Sequence, residues 1–114
     1  MEIGDQGLET GEACERFVRL IEEGAYYEAH EALEAIWYPR RFEEDDEVRL
    51  IRGFINASVA FELMKRGRPA PAAKTWRVYL KYRLLMEGLD SPHLPRYRRI
   101  EAVLEERYER LFGA

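Results

Sequence analysis

Between residues 47 and 66, apolar side chains point almost all the way round a helix: Val48, Leu50, Ile51, Phe54, Ile55, Val59, Phe61, Leu63 and Met64. A helix patterned in this way is contacted on several sides and belongs at the centre of a fold, because a surface helix carries a single apolar stripe. Other elements must therefore wrap around this segment. Gly53, Ala57 and Ala60 lie close together on one of its faces, where small residues let a neighbouring helix approach closely.

The flanking sequence supplies the wrapping. A first helix is expected from about Thr10 to Glu23, with Cys14, Phe17, Val18 and Ile21 at the i, i+3, i+4, i+7 spacing of a packed stripe. Gly24 ends it, since glycine takes the left-handed conformation without steric cost. A second helix is expected over Tyr26–Tyr38, and Pro39 ends it by disfavouring helical geometry in the preceding residue. The charged stretch Arg40–Glu47 reads as a solvated connection, with Asp45 or Asp46 available to cap the central helix.

Beyond the turn at Gly67, Pro69 and Pro71, a fourth helix is expected from Ala70 to Met86 with Ala73, Trp76, Leu80 and Leu84 inward. Gly88–Pro95 reads as a loop. A fifth helix over Pro95–Phe112 presents Tyr97, Ile100, Val103, Leu104, Tyr108 and Leu111. Strand signals are essentially absent. The expectation is an all-α protein: a compact bundle of about five helices built from antiparallel helix pairs. It forms a single helical domain over residues 10–114, preceded by a loose N-terminal arm over residues 1–9. Gly24 and Gly67 each break a helix shortly before another begins, an echo of tetratricopeptide-like repeats whose consensus is not met. Two helix pairs and a closing helix account for the same rhythm.

Composition narrows the function classes. A net charge of −4 argues against nucleic-acid binding, for which a basic surface is the usual footprint. The single cysteine, Cys14, excludes an intramolecular disulfide and a cysteine-based zinc cluster. No apolar run approaches the roughly 20 residues of a membrane span. The acidic N-terminus (Glu2, Asp5, Glu9, Glu12) lacks the plan of a signal peptide. A cytoplasmic location is expected, with neither nucleic acid nor membrane as partner.

At 100° per residue, His30, Glu34, Trp37, Tyr26, Tyr27 and Leu33 fall within one arc of the second helix. His30 and Glu34 are four residues apart, so imidazole and carboxylate can meet. Three readings fit: a polar pair in the core, a small-molecule pocket beside the aromatic residues, or a metal site. The metal reading is the weakest. The run His30-Glu31-Ala32-Leu33-Glu34 opens like the H-E-x-x-H of zinc peptidases, but Glu34 stands where the second histidine belongs. The other histidine, His93, lies in a proline-flanked loop, leaving Glu62 or Asn56 as third ligand. No metal and no cofactor is expected. Asn56 sits among apolar residues and needs partners, either backbone or the His30 site. Arg52, one turn earlier, reaches either Glu34 or solvent. The cluster Arg96, Arg98 and Arg99 reads as a solvated face.

The run from Gly24 to Trp37 resembles the signature of a small prokaryotic family called domain of unknown function 309, whose H-x-x-x-E-x-x-W is met by His30, Glu34 and Trp37. Leu50–Ala57 resembles the family's second block, with Arg52 and Asn56 where the family usually has glutamine. The resemblance spans roughly residues 10–86. It implies a compact helical bundle and singles out the three motif residues, without implying an activity.

The resulting expectation is a ligand or protein partner bound beside His30, Glu34 and Trp37, with Tyr26, Tyr27 and Asn56 contributing. The alternative is a hydrolase-like enzyme with His30 or Glu34 as general base or metal ligand. The third option is a purely structural polar pair. Trp76, Tyr79 and Tyr82 on the fourth helix offer a face for a homodimer.

Overall fold

The computed structural model describes the backbone of residues 3–113 and the side chains of residues 9–113. Five α-helices follow one another: α1 (Ile3–Glu22), α2 (Tyr26–Trp37), α3 (Asp46–Lys65), α4 (Pro69–Arg83) and α5 (Leu94–Phe112). Short 3₁₀ turns follow α2 (Tyr38–Arg40) and α4 (Leu84–Gly88). No strand occurs among the described residues. The protein is an all-α bundle.

The echo between Gly24 and Gly67 has a common cause. Gly24 has φ +79° and Gly67 φ +75°, the left-handed geometry that ends α1 and α3. Gly24 N–H donates to the Ile21 carbonyl, and Ala25 N–H to that of Leu20. Gly67 N–H donates to Met64 and Arg68 N–H to Leu63 in the same pattern. Both ends are Schellman motifs, which satisfy the orphan carbonyls of the last turn and reverse the chain within three residues. They produce the pairs α1–α2 and α3–α4, and α5 closes the bundle against α1 and α3.

α3 is the hub, packed against α2, α4 and α5. Leu50, Phe54, Ala57, Ala60 and Phe61 are fully buried, as the all-round apolar pattern requires. Asp45 caps its start, accepting from the N–H groups of Glu47 (2.7 Å) and Val48 (3.4 Å). At Gly53 the α3 backbone meets Tyr82 of α4, and a Cβ placed there would lie 2.7 Å from the Tyr82 Cβ. That close approach is what the small-residue face provides.

Three expectations change. α1 runs back to Ile3, through most of the segment read as an arm, rather than starting at Thr10. Once the stripe from Cys14 to Ile21 is packed, each further N-terminal residue adds a hydrogen bond without a new nucleation cost. α4 stops at Arg83, and the tighter 3₁₀ period turns Leu84 outward, 60% exposed, while Met86 is buried. The buried residues of α4 are Ala72, Trp76 and Tyr79, and Leu80 packs against the core partly buried. Trp76 and Tyr79 are therefore buried inside the core, and Tyr82 packs on Gly53 while staying partly exposed. Trp76 stacks on Phe61 (5.5 Å) and Tyr108 (4.4 Å).

A polar knot joins the start of α3 to the start of α5. The Glu47 carboxylate accepts from Ser91 Oγ (2.7 Å) and from the Tyr97 hydroxyl (2.5 Å), while Ser91 Oγ accepts from His93 N–H (3.0 Å). Burial, and then the Glu47 hydrogen bond, hold the Tyr97 hydroxyl proton well above the usual tyrosine range. Among the described residues no helix is long and apolar enough to cross a membrane.

Candidate functional site

Because the Gly24 turn is so short, α2 begins at Tyr26, and its first turn lies against the last turns of α3. Tyr26 is 4% exposed; its ring meets Phe61 edge-on (5.4 Å) and its hydroxyl accepts from Arg107 of α5 (3.1 Å). The same guanidinium donates to the Glu22 carbonyl (3.0 Å), fixing α5 to the α1–α2 corner. Tyr27 stands half out of the surface, its ring 5.1 Å from that of His30.

His30 is neither sealed nor fully solvated, with a fifth of its side chain exposed. Its Nδ1 lies 2.9 Å from the Tyr27 carbonyl, which can only accept, so Nδ1 carries the ring proton in the neutral imidazole. Nε2 lies 3.5 Å from Glu34 Oε1, and that carboxylate is 45% exposed. In the neutral tautomer these two atoms are both acceptors, so the contact becomes a hydrogen bond only when the ring is doubly protonated.

His30 and Glu34 meet, but the three motif residues do not line one cavity. His30 lines a cleft of about 220 Å³ between α2 and α3, together with Tyr26 and Tyr27. Glu34 sits round the helix on a shallow depression with Glu31, Ala35 and Tyr38. Trp37 is half-buried against the core, away from the cleft. Asn56 donates to the carbonyl of Arg52 within α3 (2.9 Å), the backbone partner of its own turn, and does not reach His30. Arg52 is exposed and pairs with no carboxylate among the described residues.

The opposite wall of the cleft comes from α3. Val59, Glu62, Leu63 and Arg66 occupy i, i+3, i+4 and i+7, one stripe of that helix, and Arg68 follows from the turn. Of these, the sequence offers only Glu62 as a site candidate, while Val59 and Leu63 read there as apolar positions of the central helix. The stripe is readable as a face of α3, but the register that sets it against His30 comes from packing. Glu62, the proposed third metal ligand, is tied to Arg66 Nε at 2.7 Å. Among the described residues, no three His, Cys, Asp or Glu side chains converge in a way that would hold a metal ion. In the basic cluster of α5, Arg98 faces Glu101 (3.2 Å) and Arg96 faces Glu15 (3.9 Å), as a solvated charged face would.

A family model described as Domain of unknown function (DUF309) matches residues 14–75, just over half of the chain. The chain belongs to that family. The DUF309 segment covers the C-terminal part of α1 from Cys14 on, all of α2 and α3, and the first part of α4, so every residue lining the cleft lies within it. The residues of α5 that clamp the domain, Tyr97 and Arg107, lie outside. No curated protein and no solved structure matches the chain.

Proposed function

We propose that this DUF309 protein is a cytoplasmic binding protein that holds a small, mainly apolar ligand in the α2–α3 cleft, with His30 as its polar contact. The observation that carries this reading is that His30, alone of the three motif residues, lines a cleft whose other lining residues are the apolar and aromatic Tyr26, Tyr27, Val59 and Leu63 and the charged Glu62, Arg66 and Arg68. Apolar and aromatic walls with few polar groups are the usual make-up of a small-molecule site. At about 220 Å³ the cleft is smaller than the roughly 300–1,000 Å³ of drug-sized sites, so its occupant is fragment-sized. The lone buried thiol, Cys14, fits a reducing compartment.

Binding is favoured over hydrolysis by what surrounds the imidazole. Nδ1 is engaged by the Tyr27 carbonyl, Nε2 is turned toward Glu34, and no serine, threonine or cysteine lines the cleft. The test is a nuclear magnetic resonance titration of labelled protein with neutral fragments of indole size. Shifts should centre on Tyr27, His30, Val59 and Leu63, and Val59→Trp, which fills the cleft, should abolish them. Shifts unaffected by Val59→Trp, or centred elsewhere, would refute the reading.

A further inference from the structure

We infer that the cleft selects an anion: its ligand is a small apolar molecule bearing one carboxylate, received by the guanidinium of Arg68. This deepens the binding reading above and rests on it. The charges lining the cleft are Glu62, Arg66 and Arg68, and Glu62 is already matched by Arg66. That leaves Arg68 as an uncompensated cation, since its side chain has no hydrogen-bond or ion-pair partner among the described residues. Two further cations flank the Tyr26 wall: Lys65 Nζ and the Arg107 guanidinium each lie 5.9 Å from the ring centroid. Glu34 stands at the far edge, beside His30 and outside the lining.

The backbone of Arg68 is well placed for this role. The Gly67 turn pins it by the bond from Arg68 N–H to the Leu63 carbonyl (2.9 Å), so the side chain starts from a fixed point beside the apolar wall. A guanidinium presents a planar fork that matches a carboxylate with two parallel hydrogen bonds. Arg68 is solvent-exposed at the edge of the apolar wall, so the attraction adds to apolar contact and is screened by salt. A neutral isostere would gain the wall but not the fork, and a cation would meet repulsion.

Three isosteres separate these contributions: phenylacetate, phenylacetamide and phenethylamine, titrated at low salt into wild type, Arg68→Gln and the control Arg77→Gln, an exposed α4 position outside the cleft. Phenylacetate should bind wild type and the control on the order of tenfold more tightly than phenylacetamide, and phenethylamine most weakly. Arg68→Gln should erase the acid's advantage and leave the amide's affinity unchanged; raised salt should narrow the same gap. Equal affinity for acid and amide in wild type, or an advantage that survives Arg68→Gln, overturns the anion inference and leaves the cleft standing. Binding of none of the three overturns both.

Discussion

The hydroxyl of Tyr97 donates to the carboxylate of Glu47 at 2.5 Å, closing the start of α5 onto the start of α3. Tyr97 is fully buried, so its hydroxyl has no bulk water to fall back on. Tyr97→Phe removes the donor and leaves the carboxylate with Ser91 as its remaining side-chain donor. Hydrogen bonds to charged groups contribute about 1.5–3 kcal/mol, and that loss is expected in urea unfolding. A loss below about 0.5 kcal/mol would mean that water replaces the hydroxyl.

Gly53→Ala tests the α3–α4 contact by the sign of its effect. In an open helix interior, alanine is more favourable than glycine by about 0.8–1 kcal/mol. Here the new methyl would lie 2.7 Å from the Tyr82 Cβ, an atom fixed to its backbone that cannot swing away. Overpacking of this kind costs about 1–3 kcal/mol, so the variant should be destabilised despite its better propensity. Gly88→Ala, with open space around it, serves as the control and should be close to neutral. A stabilised Gly53→Ala would show that the helices part easily.

His30 and Glu34 meet as a solvent-accessible pair, and this decides what their removal should cost. A sealed pair loses about 3–5 kcal/mol when one partner is removed. With the Glu34 side chain 45% exposed, Glu34→Gln should cost less than about 1 kcal/mol, the range of surface ion pairs. His30→Ala should also leave a cooperatively folded protein. Thermal and urea unfolding of both variants measures this, and a loss of several kcal/mol in Glu34→Gln would return the pair to the structural role.

Features carried by local chemistry were legible in the sequence. The all-round apolar pattern places α3 at the hub, and Gly24 and Gly67 mark helix ends because the left-handed conformation is a property of single residues. His30 and Glu34 meet because their spacing on one helix dictates it. Features set by packing register were not. Glu47 reads as the end of a charged connection, since Ser91 and Tyr97, its partners, are 44 and 50 residues away. Leu84 fits the α-helical period and is turned out only because the chain tightens after Arg83. Trp37 shares an arc with His30, yet the cleft is walled by Val59 and Leu63, whose alignment with α2 no spacing encodes.

Alkali should weaken this fold through Cys14, a group the candidate site does not use. Cys14 is 1% exposed, and burial, outweighing the nearby Arg96 charge, pushes its thiol up to about 12. In an unfolded chain a cysteine titrates near 8.5, roughly. Above that pH the unfolded state gives up a proton that the folded state keeps, so the unfolded state binds fewer protons and stability falls as pH rises. The fall approaches about 1.4 kcal/mol per pH unit for this one group and continues until the pH nears that of the folded thiol. Tyr79 and Tyr97, whose hydroxyls are also raised by burial, add to the decline above about pH 10. Urea unfolding at pH 7.5 and 9.5 should therefore differ by about 1.4 kcal/mol in wild type. Cys14→Ala should be less stable at pH 7.5, because it opens a cavity, but should lose little of that difference's size again at pH 9.5. An equal decline in both proteins would show that Cys14 does not cause the alkaline loss.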